Sequence, residues 1–350
     1  MHRTARAHLI LDADVLSDAY LPERLIGRET QATEVHRWLG TAVESRAPIH
    51  VWLHGPSGAG KTATALRGLS VLRDAGITNS AVLNCWEHNT YFEVLDALVG
   101  ELRILRAEEH RSSLKLERIR RHLGGRPFVV MLDEVDQMRP AERGTTLYNF
   151  ARLGTVSLVA IANHARALHE LDERVRSRLS PRVIAFPPYR TGEMVTLLRD
   201  LAARALVSRA VAEGDLERIA AIAAGDARVA IQLLRNTAHS AELVGEQRIT
   251  PDSLAREWRH AKAATQARAL EALTEDHRLL YRIVAQQTAV TSGRLWQAYV
   301  HRCAEVKRKP LALRTFSNYA NRLVQAGLLG CAPARVKGRE RLFSIRGECE

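Results

Sequence analysis

Ile49-His-Val-Trp-Leu53 runs through His54 directly into Gly55-Pro-Ser-Gly-Ala-Gly-Lys-Thr62, and this junction decides how the rest of the chain is read. The first part is a short apolar strand. The second fits Gly-x-x-x-x-Gly-Lys-Thr, and Ala63–Asp74 after it has helical periodicity. At average residue frequencies the four fixed positions arise by chance about once in a hundred chains of this length. The strand before and the helix after lower that chance further. Glycines at 58 and 60 let consecutive N–H groups curl around an anion at a helix N-terminus. The expectation is that Gly55, Gly58, Ala59 and Gly60 cradle the phosphates of ATP or ADP. Lys61 then reaches the β- and γ-phosphates, and the Thr62 hydroxyl binds Mg²⁺.

Downstream, Ser80–Asn84 reads as a strand, Tyr91–Leu105 as a helix and Ser113–Leu123 as a charged helix. Phe128-Val-Val-Met-Leu132 is wholly apolar, as a buried parallel strand requires, and ends in Asp133-Glu-Val-Asp136. A similar run, Ser157–Ala162, ends in Asn163. Strands alternating with helices predict an α/β fold, a parallel sheet between helices. Strand-end carboxylates lie at the edge where such sheets bind ligands. Asp133 is therefore expected to hold Mg²⁺ through water, and Glu134 to polarise an attacking water. Asn163 is expected to position the same water.

Pro187-Pro188 punctuates the chain. Beyond it the pattern is helical: Thr191–Leu206, Leu216–Ala224, Ala227–Glu242 and Pro251–His260, then an Ala-rich linking helix over Ala261–Ala272. The last segment reads as three helices (Thr274–Gln287, Ser292–Val306, Leu311–Ala326) and two strands (Leu328–Cys331, Leu342–Ile345) around a basic turn, the winged-helix order. The expected domains are 17–186, nucleotide-binding; 187–260, a helical lid; and 272–350, winged helix.

The formal net charge is +12, and its location is informative. Fourteen basic residues fall between His277 and Arg346, opposed only by Glu305 and Glu340, so this last fifth holds the whole excess. A concentrated excess predicts a polyanion-binding face. In Leu311–Ala326, the spacing sends Leu313, Phe316, Ala320 and Leu323 to the core. Arg314, Ser317, Asn318 and Asn321 are then candidates to read base edges. Lys337, Arg339 and Arg341, in a wing around Gly338, are candidates for DNA phosphates. Other classes fall away. The best apolar run, Val156–Ala162, is far short of the roughly 20 residues of a membrane span. Leu9–Leu11 is too short for a secretory signal. Four scattered cysteines suggest neither disulfides nor zinc and fit a reducing cytoplasm.

Two arginine sets complete the list. Arg174, Arg176 and Arg178 lie in Leu171-Asp-Glu-Arg-Val-Arg-Ser-Arg-Leu179, a solvated face or an arginine finger for an adjacent subunit. Gly225-Asp-Ala-Arg228 ends one helix and starts another, leaving Arg228 able to point back at the γ-phosphate.

Taken in order, these stretches resemble the archaeal replication initiators of the AAA+ class, relatives of origin recognition complex subunit one and cell division control protein six. The matching residues span about Leu11–Arg346. Tyr20-Leu-Pro-Glu-Arg-Leu-Ile-Gly-Arg-Glu29 resembles that family's approach to the nucleotide, which brings Ile26 to the pocket. Asn163 matches the first sensor, Arg178 in Ser-Arg-Leu the finger, and Gly225-Asp-Ala-Arg228 the second sensor. Phe186-Pro-Pro-Tyr189 resembles the junction whose tyrosine, here Tyr189, packs near the nucleotide. Asn89–Leu95 resembles the start of the extra initiator helix, and Gln325-Ala-Gly-Leu-Leu329 and Lys337-Gly-Arg-Glu-Arg341 resemble its winged helix. Twelve residues after Tyr189, where the family usually carries a nucleotide-contacting arginine, stands Leu201, with Arg199 and Arg204 as possible substitutes.

The resemblance implies a slow, regulatory ATPase that binds double-stranded DNA at replication origins. It implies recruitment or loading of the replicative minichromosome maintenance helicase, self-association on DNA, and a cytoplasmic, nucleoid-associated location. The rival reading is an AAA+ signalling or transposition regulator whose C-terminal domains dock on protein, for which a clustered +12 has no use.

Overall fold

In the computed structural model, residues 8–45, 47–76, 79–104, 111–260, 273–287, 289–305, 307–325, 328–334 and 340–345 are described. The chain divides into two compact units, Met1–Leu254 and Ala255–Glu350. The first contains, in order, α1 (Glu29–Glu44), β1 (Val51–His54), α2 (Lys61–Asp74), β2 (Asn79–Asn84), α3 (Tyr91–Glu101), α4 (Ser112–Leu123) and β3 (Phe128–Asp133). There follow α5 (Pro140–Ala151), β4 (Val156–Ala162), α6 (Arg166–His169), α7 (Glu173–Leu179), β5 (Arg182–Ala185), α8 (Thr191–Ala205), α9 (Glu213–Ala223) and α10 (Ala227–Leu243). A helix over 251–260, α11, comes next.

Five parallel strands lie in the order β2-β3-β4-β1-β5, with Val51 opposite Val159 and Leu158 opposite Val130. Every residue of β4 is buried, as are the first five of β3, which is why both read as unbroken apolar runs. The alternation of the strands splits the core. Val51, Leu53, Met131 and Ile161 pack on one side with Val35 and Leu39 of α1 and Leu69 of α2. Trp52, Val130, Leu132 and Leu158 pack on the other with Val94 and Leu98 of α3, Ile119 of α4 and Phe150 of α5. The expected sheet between helices is therefore present. Edge strand β5 was not foreseen. Only Ile184 of its four residues is buried, so it lacks the apolar run that marks a central strand.

Helices α8, α9 and α10 pack together beyond the sheet. The chain start joins them: Leu9 and Leu16 are buried, and Ile10 forms a bridge with Leu206. The Glu242 carboxylate accepts from the N–H groups of Leu9 at 2.6 Å and Ile10 at 2.8 Å.

The second unit contains α12 (Glu275–Ala285), β6 (Val290–Thr291), α13 (Ser292–Glu305), α14 (Leu313–Gln325), β7 (Leu329–Pro333) and β8 (Arg341–Ile345). Its sheet has three antiparallel strands ordered β6-β8-β7 rather than the expected two. β6 is too short to leave a periodic signal. Leu280, Leu295, Tyr299, Phe316, Leu323 and Phe343 form its core. Leu313 departs from expectation, being 58% exposed. Side chains in a first helical turn lean toward the N-terminus, which carries Leu313 past the end of the core. Leu311, just before the helix, packs there instead. The linking helix over 261–272 lies outside the described residues.

Candidate functional site

The C-terminal ends of β1, β3 and β4 meet the first turn of α2 in a cleft of about 280 Å³. Its lining includes Gly58, Ala59, Gly60, Lys61, Thr62, Asp133, Glu134, Asn163 and Arg228, so the spacing-based candidates converge. Gly60 is the N-cap of α2 at φ 86°, a left-handed conformation that glycine adopts without penalty. Gly58, at φ +66°, has no room for a side chain, because a Cβ there would lie 1.8 Å from Oδ1 of Asp226.

Lys61 Nζ donates to the carbonyls of Gly55 at 2.7 Å and Pro56 at 2.8 Å, and to Oδ1 of Asn163 at 3.2 Å. Burial lowers its pKa, against the attraction of Asp133 and Asp136. The Thr62 hydroxyl donates to Oδ2 of Asp133 at 2.9 Å. Two hard oxygen donors in contact at a strand end suit Mg²⁺, which takes one or two protein oxygens and completes its shell with phosphates and water. Glu134 follows at φ 55°, a strained backbone for glutamate, and its N–H donates to Oδ1 of Asp133 at 2.9 Å. Burial raises the Glu134 pKa first, and the charges of Asp133 and Asp136 raise it further. Burial also raises that of Asp133. The Asn163 N–H donates to Asp136 at 3.1 Å, fixing this side chain between the lysine and the acidic turn.

The lid closes one wall. Asp226 caps α10, accepting from the N–H of Arg228 at 2.9 Å and of Val229 at 3.2 Å, and the Ala227 N–H donates to the Gly58 carbonyl at 3.1 Å. Arg228 is thus the second residue of α10, and its guanidinium acts on Lys61, Asp133 and Glu134.

Arg178 does not line the cleft. It is exposed near the end of α7, just before β5 begins at Arg182 opposite Val51. The phosphate loop starts at the other end of β1, a strand length of about 13 Å away. Its charge acts instead on buried His50, whose pKa falls to about 4, mainly through burial. Arg174 and Arg176 lie on the same short helix, Arg174 exposed and Arg176 half-buried.

Beside the cleft, Ile26, Tyr189, Leu201 and Asp200 line a smaller cavity of about 120 Å³ that shares Gly60, Ala63, Ala227 and Ile231 with it. Leu201 therefore lies on the side of α8 that faces this cavity. Arg199 and Arg204 do not replace the missing arginine. They pair on the surface with Glu213 and Asp200, and neither lines a cavity wall here.

Two features escaped the sequence. Ser17, Asp18 and Ala19 line the cleft, though nothing in their pattern announces it. Arg28 is 1% exposed, and its Nε donates to the Ala59 carbonyl at 2.7 Å. Arg28 lies inside the Tyr20–Glu29 stretch that resembles the family's approach to the nucleotide, but nothing in the stretch marks it as buried.

A profile of the AAA ATPase domain matches residues 24–161, and one of the Cdc6 AAA+ ATPase-type lid domain matches 195–257. The chain is 31% identical over 307 residues to the ORC1-type DNA replication protein 1 of Halobacterium salinarum, covering 86% of this chain and 98% of that protein. This chain belongs to the ORC1-type DNA replication protein family. It is 28% identical over 369 residues to the family's protein 2 of Thermoplasma acidophilum, covering 99% of this chain and 90% of that one. Among solved structures, the Aeropyrum pernix ORC1 protein in complex with DNA aligns with a TM-score of 0.78 at 23% identity, covering 97% of this chain and 94% of that one. The Aeropyrum pernix ORC2 protein in ADPNP–ADP complexes aligns at 0.69 and 20%, covering 98% and 95%. These likenesses establish the fold. As a member of the ORC1-type family with an AAA ATPase domain, the chain is an ATPase that uses ATP and ADP.

In the second unit, Arg314 and Asn318 are exposed on α14, and Ser317 is half-buried. Asn321 is engaged: its Oδ1 accepts from Arg341 of β8 at 2.5 Å. Two predicted DNA contacts thus hold each other, which ties α14 to β8. Lys337 and Arg339 lie outside the described residues. His277 stacks on Tyr319 at 3.9 Å, fixing α12 against α14.

Proposed function

We propose that this chain is an ATP-switched replication initiator that binds duplex DNA at origins and recruits or helps load the replicative minichromosome maintenance helicase. The proposed parts are 17–186 as nucleotide-binding domain, 187–260 as lid and 272–350 as winged-helix DNA-binding domain. The loop amides, Lys61 and Arg228 bind the phosphates, with Ile26 and Tyr189 near the nucleoside. Thr62 and Asp133 would hold Mg²⁺, which when bound neutralises phosphate charge. Glu134 takes the proton of the attacking water, and Asn163 orients that water. Arg178, remote from its own cleft, serves the cleft of a neighbour during self-association on DNA. Arg314, Ser317 and Asn318 read bases, while Asn321 does so only by leaving Arg341. Lys337, Arg339 and Arg341 neutralise phosphates. The protein then works in the cytoplasm, on the nucleoid.

The observation that carries this reading is the pairing, in one family member, of a lid-closed nucleotide cleft with a C-terminal unit that holds most of the charge excess. Sequencing the chromosomal DNA recovered with the protein tests it. Enrichment at one intergenic repeat cluster is expected, and uniform recovery across the chromosome would remove origin recognition.

A further inference from the structure

Arg28 lies behind the phosphate loop rather than in the cleft, yet it touches every part that must move together. Its Nε donates to Ala59 of the loop, NH1 to Gly27 of the lead-in segment and NH2 to Pro187 of the lid junction, each at 2.7 Å. Its guanidinium lies 3.6 Å from the centre of the Tyr189 ring, and Glu193 of α8 stands 4.0 Å away. A buried cation carries a large desolvation cost, so this site is maintained by several partners at once.

These contacts form a closed ring. From Ala59 they pass through Arg28 to Pro187 and Tyr189. The Tyr189 N–H donates to the Gly225 carbonyl at 3.1 Å, and Ala227, two residues on, donates back to Gly58. The ring begins and ends on adjacent residues of the phosphate loop. The direction of the Ala59 carbonyl matters for a second reason. A trans peptide is planar, so its C=O and the next N–H point opposite ways. By drawing the Ala59 carbonyl backward, Arg28 turns the Gly60 N–H toward the cleft.

We propose that Arg28 is a positioning residue that aims the Gly60 amide at the nucleotide and makes phosphate binding and lid closure a single event. This rests on the nucleotide occupying the Gly55–Thr62 cleft. Lysine at position 28 keeps the charge but cannot hold three carbonyls in a planar fork.

The test uses the full chain, ADP titration, and hydrogen exchange at the Ala227 and Tyr189 amides, the two backbone links of the ring. Arg28→Lys is expected to weaken ADP binding by about tenfold to a hundredfold, the loss of charge-assisted bonds that set the loop. At saturating ADP its Ala227 and Tyr189 amides should stay as exchangeable as without nucleotide. Lys61→Ala should also lose affinity but, once saturated, protect those amides as the wild type does. Wild-type affinity in Arg28→Lys, or full protection of its Ala227 and Tyr189 amides at saturation, would overturn the proposal. If instead Lys61→Ala leaves ADP binding unchanged, the nucleotide assignment itself fails. If Arg28→Lys melts below the assay temperature, Tyr189→Leu carries the same two readouts, with a smaller affinity loss and the same loss of protection expected. Intact protection there would overturn the proposal equally.

Discussion

Gly58→Ala tests whether the lid and the phosphate loop share one piece of space. An added Cβ would overlap Asp226 Oδ1 at 1.8 Å and Cγ at 2.3 Å, so the carboxylate must leave. Its departure uncaps α10, releasing the bonds to Arg228 and Val229, which costs about 1 kcal/mol. The left-handed φ of +66° costs an alanine roughly another 1 kcal/mol. Gly58→Ala should therefore destabilise the first unit by about 2 kcal/mol, and Asp226→Ala by about 1. In melting temperature these correspond to drops of about 4–8 °C and 2–4 °C for a unit of this size. The double variant is the decisive one. Because the cap can be lost only once, it should fall about as far as Gly58→Ala alone, a coupling near 1 kcal/mol. Thermal melts of the four proteins followed by circular dichroism measure it, with Asp226→Asn as a control that keeps the cap. Strict additivity would refute the claim that Asp226 is the reason position 58 must be glycine.

Lys61→Ala should weaken ATP binding, whereas Glu134→Gln should bind ATP and hydrolyse it at least a hundredfold more slowly, roughly the contribution of a positioned base; unchanged turnover in Glu134→Gln would remove that residue from the chemistry. Because burial and the neighbouring acids raise the Glu134 pKa, its ionised form disappears at a higher pH than for an ordinary glutamate. Hydrolysis should fall on that early acid limb, and Asp136→Asn, which removes one repelling charge, should move the limb to lower pH in a pH–rate profile. Arg228→Ala should weaken ATP binding in monomers, while Arg178→Ala should reduce hydrolysis only where subunits meet, so a full defect in strictly monomeric protein would place Arg178 in its own site. In duplex titrations, Arg314→Ala or Asn318→Ala should cost about 1–3 kcal/mol on the preferred sequence and far less on random DNA. Changing Lys337 and Arg339 together to alanine should flatten the salt dependence by about two log–log units on any sequence.

What could be read from the sequence was what is local. The phosphate loop, the runs at Phe128–Leu132 and Ser157–Ala162, and the carboxylates that end them are written in consecutive residues. Central strands are buried on both faces and so announce themselves. β5 and β6 did not, one because it is a half-exposed edge and the other because two residues carry no period. Arg28 was hidden for a different reason. Its partners are 31 and 159 residues away, and an arginine before a helix looks solvated until the chain folds over it. The same holds for Asn321 and Arg341, which read as two DNA contacts and fold as a pair. Leu201 marks the opposite case, a departure visible in sequence whose place beside the nucleotide cavity only the fold reveals.

The chain start has a mechanical consequence. Leu9 to Leu16 belongs to the lid, while α1 belongs to the sheet, so the polypeptide crosses between the two bodies there and again at Pro187–Tyr189. A body attached by one strap can twist, tilt and translate. Attached by two, it swings like a door on a pair of pins, about the line that joins them. Both pins stand beside the cleft, Ser17 to Leu21 in its wall and Tyr189 in the wall of the adjoining cavity. Two crossings beside the cleft restrict how α10, and Arg228 with it, can shift relative to the phosphate loop.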